Sequence, residues 1–312
     1  MNTIPVVDFG KFSNDTQNTN AKEFSKDVGE ALRDVGFMAV SNHGINLKLI
    51  ERCYEFIDRL FQLPQEQLKK YEDLKLKGQR GFTSFGREHA KDQPLPDLKE
   101  FWHIGQELIA QKNLGYPDNI WPTELEGFKE SFMTLYSELE RVAFGLLRAC
   151  SQFINESPEI FSGMAKDGNS ILRLIHYPPI EDAKTKSVRA AAHEDINLIT
   201  LLIDATASGL QILTRENQWV DVVTPQNCII ADAGDMLQNV TNGYFKSTTH
   251  RVINPDDFAT RRFSMPFFVH ARSEVDLSPL NSCIKATGGE KKFPNQTAGE
   301  YLSKRLEEIG LS

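Results

Sequence analysis

Cysteine is scarce in this chain: Cys53, Cys150, Cys228 and Cys283 are scattered, with no C-x-x-C pair. That excludes a disulfide framework and a structural zinc site, and predicts free thiols in a reducing compartment. No apolar run approaches the roughly 18 residues of a membrane helix, so no membrane partner is expected. The first ten residues lack the basic and long apolar segments of a secretory signal, and a cytoplasmic location is expected. Lys and Arg form no block and the net charge is −8, which disfavours a nucleic-acid partner. Internal repeats and low-complexity linkers are also missing. The 312 residues are 40 % hydrophobic and 25 % charged, which suits a globular protein with one large β-rich domain and helical additions.

The chain is organised around Arg189 to Ile203. Leu198 to Ile203 is almost wholly apolar or β-branched and reads as a buried strand. His193 and Asp195 stand just before it, two apart, so in an extended chain both project to one face. A second histidine, His250, follows later, and then Arg262-Phe263-Ser264. Two imidazoles and one carboxylate that leave coordination positions open suit a non-haem Fe(II) centre, though the same donors also suit zinc.

Taken in order, Ile4 to Phe9 reads as a strand, Ala21 to Val35 as a helix stopped by Gly36, and Phe37 to Val40 as a strand. Leu47 to Leu63 is helical up to Pro64. From Lys75 to Gln106 periodicity gives way to Gly, Pro (Pro94, Pro96) and scattered aromatics, the pattern of a binding loop. Thr123 to Asn155 carries the apolar stripe of a long helix packed on a core. Strand candidates then crowd together: Ile171–Tyr177, Ala190–Ile203, Gly209–Leu213, Trp219–Val223, Cys228–Ala231, Met236–Val240, His250–Asn254 and Arg262–His270. Asp232 and Asp235 read as turn formers between them. A helix from Thr297 to Ile309 closes the chain. The expected fold is mainly β with flanking helices: a double-stranded β-helix, or jelly roll, over 169–272. A helical and strand region, 1–168, and a C-terminal loop and helix, 273–312, would pack on it as one integrated domain.

With these parts placed, the chain resembles the isopenicillin N synthase-like family of iron(II) and 2-oxoglutarate-dependent oxygenases over nearly its whole length. The resemblance rests on Ile4-Pro-Val-Val-Asp-Phe9, Gly36-Phe37, Asn42-His43-Gly44-Ile45, Arg80-Gly81-Phe82 and Asp97-Leu-Lys-Glu100. It rests further on Tyr177-Pro178, His193-x-Asp195, His250-Arg-Val252 and Arg262-x-Ser264, which occur in the family's order. Ile175 departs from the Asn that some plant members carry two residues before the tyrosine.

The resemblance implies that His193, Asp195 and His250 hold Fe(II), and that Arg262 and Ser264 bind the far carboxylate of 2-oxoglutarate. A guanidinium fork matches that carboxylate better than an ammonium does. Tyr177 would donate to the same co-substrate, dioxygen would take the remaining position, and turnover would release succinate and CO2. Hydroxylation, desaturation and ring closure of a small-molecule substrate all stay open, as does oligomeric state. Strand parity adds that Arg173 shares the face of Tyr177, and Phe268 that of Arg262 and Ser264. The substrate is therefore expected to carry a carboxylate on Arg173, with Phe82, Phe101 and Phe268 around its apolar part. His43, His89, His103, His176 and His270 read as ordinary polar residues. Competing readings are a same-fold Fe(II) oxidase that does not use 2-oxoglutarate, a non-catalytic metal-binding sensor, and a zinc hydrolase.

Overall fold

Alternation along the strands decides what each face of this molecule touches. The computed structural model describes residues 4–88, 95–107, 115–180, 185, 187–203 and 205–308. Its strands are β1 (Val6–Asp8), β2 (Phe37–Ser41), β3 (Gly81–Thr83), β4 (Glu100–Gly105), β5 (Ile171–Tyr177) and β6 (Ala190–His193). They continue with β7 (Ile199–Ile203), β8 (Leu210–Leu213), β9 (Trp219–Asp221), β10 (Ile229–Ala233), β11 (His250–Val252) and β12 (Arg262–Val269). Eight form one sheet in the order β1-β2-β10-β7-β12-β5-β4-β3, and four form another, β6-β11-β8-β9. The two sheets face each other as a jelly roll, and strands from the first 168 residues extend the larger one at both edges.

On the outer face of the large sheet, Met38, Leu172, Leu174, Leu201, Ala231, Met265 and Phe267 are buried in one large apolar core. Helices α1 (Thr19–Asp34), α2 (Leu47–Phe61) and α3 (Phe128–Phe153) cover it through stripes such as Phe24, Val28 and Leu32 on α1. The helix α1 starts where the Asn18 side chain accepts from the Asn20 amide. It stops before Gly36, whose φ of +81° and contact with Thr248 leave no room for a Cβ. A smaller core between the sheets holds Phe37, Ala39, Ile212 and Ile230. The remaining inner face, toward β4 and β5, is left for the site.

Three expectations are corrected. The candidate Ala190–Ile203 is two strands, β6 and β7, because 194–198 turns from the small sheet to the large one: Leu198 donates to Val269 and Gly234 donates to Leu198. Met236–Val240 belongs to a short helix, α4 (Asp235–Val240), not a strand. Gly234 permits that start, since a Cβ there would meet the Asn197 carbonyl at 2.2 Å, and Asp235 puts an acid in the first turn. Asp232, read as a turn former, lies inside β10. The C-terminal helix, α5 (Ala298–Glu308), follows expectation; His89, Pro94 and Ile309 lie outside the described residues.

Candidate active site

His193 ends β6 and pairs across the small sheet with His250, which begins β11. Their ring centroids are 4.4 Å apart, and Asp195 Oδ1 lies 3.7 Å from Nε2 of each. The three donor atoms fall within 4.8 Å of one another. Every other polar atom of these side chains is occupied. Nδ1–H of His193 donates to the Ala191 carbonyl at 2.7 Å, and Nδ1–H of His250 to the Thr248 carbonyl at 3.2 Å. Because a carbonyl only accepts, both Nε2 lone pairs are left for a metal. Thr200 Oγ1 donates to Asp195 Oδ2, which leaves Oδ1.

Electrostatics also favour a cation here. Burial, reinforced by His193, lowers His250 to about 4, so its Nε2 stays unprotonated at neutral pH. Burial and the charge of Asp195 push the carboxyl of Asp232 well above the usual range, a crowding that a divalent cation would offset. Two imidazoles and one carboxylate on one side of a point fit a metal with open positions. Thr200→Val should weaken metal binding by roughly 10- to 100-fold, the usual effect of losing an outer hydrogen bond to a ligand. Equilibrium dialysis with Fe(II) under anaerobic conditions measures this, and an unchanged affinity would show that Thr200 does not orient Asp195.

Across the inner face, Arg262 pairs in register with Tyr177, and Ser264 with Ile175. Arg262 is buried, yet its assigned bonds go to the Ala207 carbonyl at 3.0 Å and Ser264 Oγ at 3.3 Å, with no carboxylate among the described residues. Its guanidinium carbon lies 5.0 Å from the centre of the Tyr177 ring. A buried guanidinium beside a hydroxyl, with no acid, fits the carboxylate of a ligand.

A cavity of about 1000 Å³, part of it open to solvent, adjoins the metal donors. His193, Asp195, Arg173 and Phe268 line it, so parity placed Arg173 and Phe268 on the correct face. Arg173 is nonetheless unavailable as an anchor. Both its terminal nitrogens donate to Glu88 at 2.9 Å, its Nε donates to His103 at 2.6 Å, and Phe101 and Phe268 lie 4.2 and 5.2 Å from its carbon. A carboxylate in the protein already neutralises it, which overturns the expectation of a substrate carboxylate on Arg173. Phe82 is corrected as well: it pairs with Trp102, whose side chain enters the outer core, and so it turns from the cavity. Phe101 is buried with Ile175 and Tyr177 and supports Arg173 from behind.

Sequence reasoning gave several residues here no individual role. Lys99 bonds Glu88 at 2.7 Å and Asp97 at 2.8 Å, and Asp97 accepts from the Ala191 amide at 3.0 Å. Buried charge therefore runs from Arg173 to the residue that orients His193. His270, read as an ordinary polar residue, lines the cavity with a buried Nδ1 that has no partner among the described residues, and burial lowers it to about 4. Leu302, Arg305 and Leu306 of α5 close another wall. The amphipathic pattern of α5 signalled packing but not its target. His270 was within reach of parity, as the next step along the strand from Phe268.

Comparison with known proteins agrees with this geometry. Residues 168–271 match the 2OG-Fe(II) oxygenase superfamily, and residues 4–124 match the N-terminal region described as non-haem dioxygenase in morphine synthesis. The chain is 35 % identical to a 2OG-Fe(II) oxygenase family protein from Caulobacter crescentus, with 99 % of each chain covered and a TM-score of 0.86. It is 28 % identical to a full-length Neurospora crassa protein in complex with alpha-KG and thymine, covering 97 % of this chain and 96 % of that one, with a TM-score of 0.86. A 2-oxoglutarate-Fe(II) type oxidoreductase of Aspergillus fumigatus is 29 % identical over 97 % of this chain and 92 % of its own. The chain belongs to the 2OG-Fe(II) oxygenase superfamily and is an isopenicillin N synthase-like, Fe(II)- and 2-oxoglutarate-dependent dioxygenase.

Proposed function

We propose that His193, Asp195 and His250 hold Fe(II), that Arg262 and Ser264 bind the far carboxylate of 2-oxoglutarate, and that Tyr177 donates to the same molecule. The carrying observation is the convergence of two free Nε2 atoms and Asp195 Oδ1, with His193 and Asp195 on the wall of the cavity. Once bound, iron and 2-oxoglutarate supply the oxidation by dioxygen, with release of succinate and CO2. The protein's part is placement and exclusion of water: Thr200 and Ala191 orient the ligands, and Arg262 with Ser264 fixes one end of the co-substrate.

The substrate we propose is a small molecule with hydrogen-bonding groups and an apolar part, oxidised at a C–H bond. Ile171, Ile196, Phe268 and Leu302 offer the apolar wall, while His270 Nδ1 and Arg305 Nε are buried polar atoms without partners among the described residues. The related Neurospora crassa structure holding thymine accords with a substrate of this size. A cytoplasmic setting is proposed from the four free, buried thiols.

Anaerobic Fe(II) and 2-oxoglutarate should give the visible charge-transfer band of the chelate, and oxygenation with substrate should give succinate. Oxygen uptake without succinate would favour the oxidase reading. Arg262→Lys keeps the charge and loses the fork. A lost charge-assisted hydrogen bond costs about 1.5–3 kcal/mol, so affinity for 2-oxoglutarate should fall roughly 10- to 100-fold while Fe(II) binding persists. An unchanged titration of the band in that variant would remove Arg262 from the co-substrate site.

A further inference from the structure

The fully buried side chain of Arg189 has no counter-charge among the described residues. It is 0 % exposed, yet among the described residues Nε and Nη1 have no hydrogen-bond partner, while Nη2 donates to the Thr260 carbonyl. Buried donors of this kind are rare because each costs its desolvation. No described residue forms an ion pair with it. Its backbone is fixed, since the Arg189 amide donates to Asn254 Oδ1 at 3.1 Å. The guanidinium carbon lies 5.8 Å from the centre of the same Tyr177 ring that Arg262 approaches at 5.0 Å. Burial, and then the charge of Arg262, pulls Arg189 below the usual arginine range. Two guanidiniums gathered on one tyrosine, with no acid between them among the described residues, call for an anion.

We propose that Arg189 is a second guanidinium for the far carboxylate of 2-oxoglutarate, acting with Arg262 to select a dicarboxylic 2-oxo acid. This rests on the reading that Arg262 and Ser264 bind that carboxylate. Arg189 would act on the far end of the co-substrate alone and leave its chelating end to the metal. A 2-oxo acid of equal chain length with a methyl group there, 2-oxovalerate, makes the comparison.

The test is anaerobic titration of the Fe(II) charge-transfer band in the whole protein with 2-oxoglutarate and with 2-oxovalerate. In Arg189→Gln, 2-oxoglutarate should bind about ten-fold more weakly, the size expected for a lost charge-assisted bond, with 2-oxovalerate changed less than about two-fold. Arg189→Lys, which keeps the charge and guards against misfolding, should show a smaller loss of the same selective kind. If 2-oxoglutarate binds Arg189→Lys and Arg189→Gln as it binds the wild type while Arg262→Lys loses affinity, the proposal falls and the wider co-substrate reading stands. Equal weakening of both oxo acids likewise overturns it, since the role of Arg189 would be structural. If Arg262→Lys also titrates like the wild type, the co-substrate reading fails, and this proposal with it.

Discussion

Asp195→Ala should abolish substrate-coupled turnover and weaken Fe(II) binding by more than about 100-fold. Loss of an outer hydrogen bond to a metal ligand already costs roughly 10- to 100-fold, and removal of the ligand itself exceeds that. Asp195 Oδ1 is the atom common to the triad, 3.7 Å from each imidazole Nε2, so its removal leaves two histidines whose other nitrogens are tied to backbone carbonyls. The fold should survive, because Asp195 adds charge beside the buried Asp232. His193→Ala and His250→Ala should behave alike. The measurements are Fe(II) dialysis, the charge-transfer band and succinate formation. Two of the three variants retaining tight Fe(II) and normal turnover would show that the triad is misassigned.

The cluster of His193, Asp195 and His250 was legible in the sequence because its geometry is local. One extended step puts His193 and Asp195 on a shared side, and His250 needed only to start a neighbouring strand. Parity likewise placed Arg173, Tyr177, Arg262 and Phe268 on the inner face. Parity names a face and not a partner, however. Glu88 lies 85 residues from Arg173, and only the pairing of β3, β4 and β5 brings loop and strand together. Phe82 fails for the same reason: its face follows from its register with Trp102, which the sequence does not carry. Met236 to Val240 is too short for its apolar residues to separate a two-residue from a 3.6-residue period, and its helix depends on the contact of Gly234 with Asn197. Arg189 was in view from the start, four residues before His193. What marks it is that no described acid pairs with it in space.

Glu88→Gln should destabilise the protein by about 3–5 kcal/mol, because it strips a buried charge network of one member and leaves Arg173 uncompensated. At this chain length that corresponds to a fall in Tm of about 5–8 °C. Burial drives the Glu88 carboxyl upward, but Arg173 and Lys99 outweigh it and hold the group well below the usual carboxylate range. A carboxyl whose folded value is depressed stabilises the fold fully above its unfolded value, near about 4.3 for Glu. That contribution is lost as pH falls below this value and through the folded one. Wild-type stability should therefore decline in acid more steeply than that of Glu88→Gln, with the gap between them closing toward low pH. Because Glu88, Lys99 and Arg173 are mostly buried, raising salt at neutral pH should narrow the gap little. The variant also tests a link to the metal, since Lys99 holds Asp97, Asp97 receives the Ala191 amide, and the Ala191 carbonyl receives His193 Nδ1–H. Fe(II) affinity should thus fall together with Tm. Glu88→Gln/Arg173→Met removes both charges, and its loss of stability should be smaller than the sum of the two single losses. Urea and thermal unfolding across pH decide the matter. Additive losses, or a single-variant loss below about 1 kcal/mol, would mean that Glu88 and Arg173 are coupled no more strongly than a surface pair.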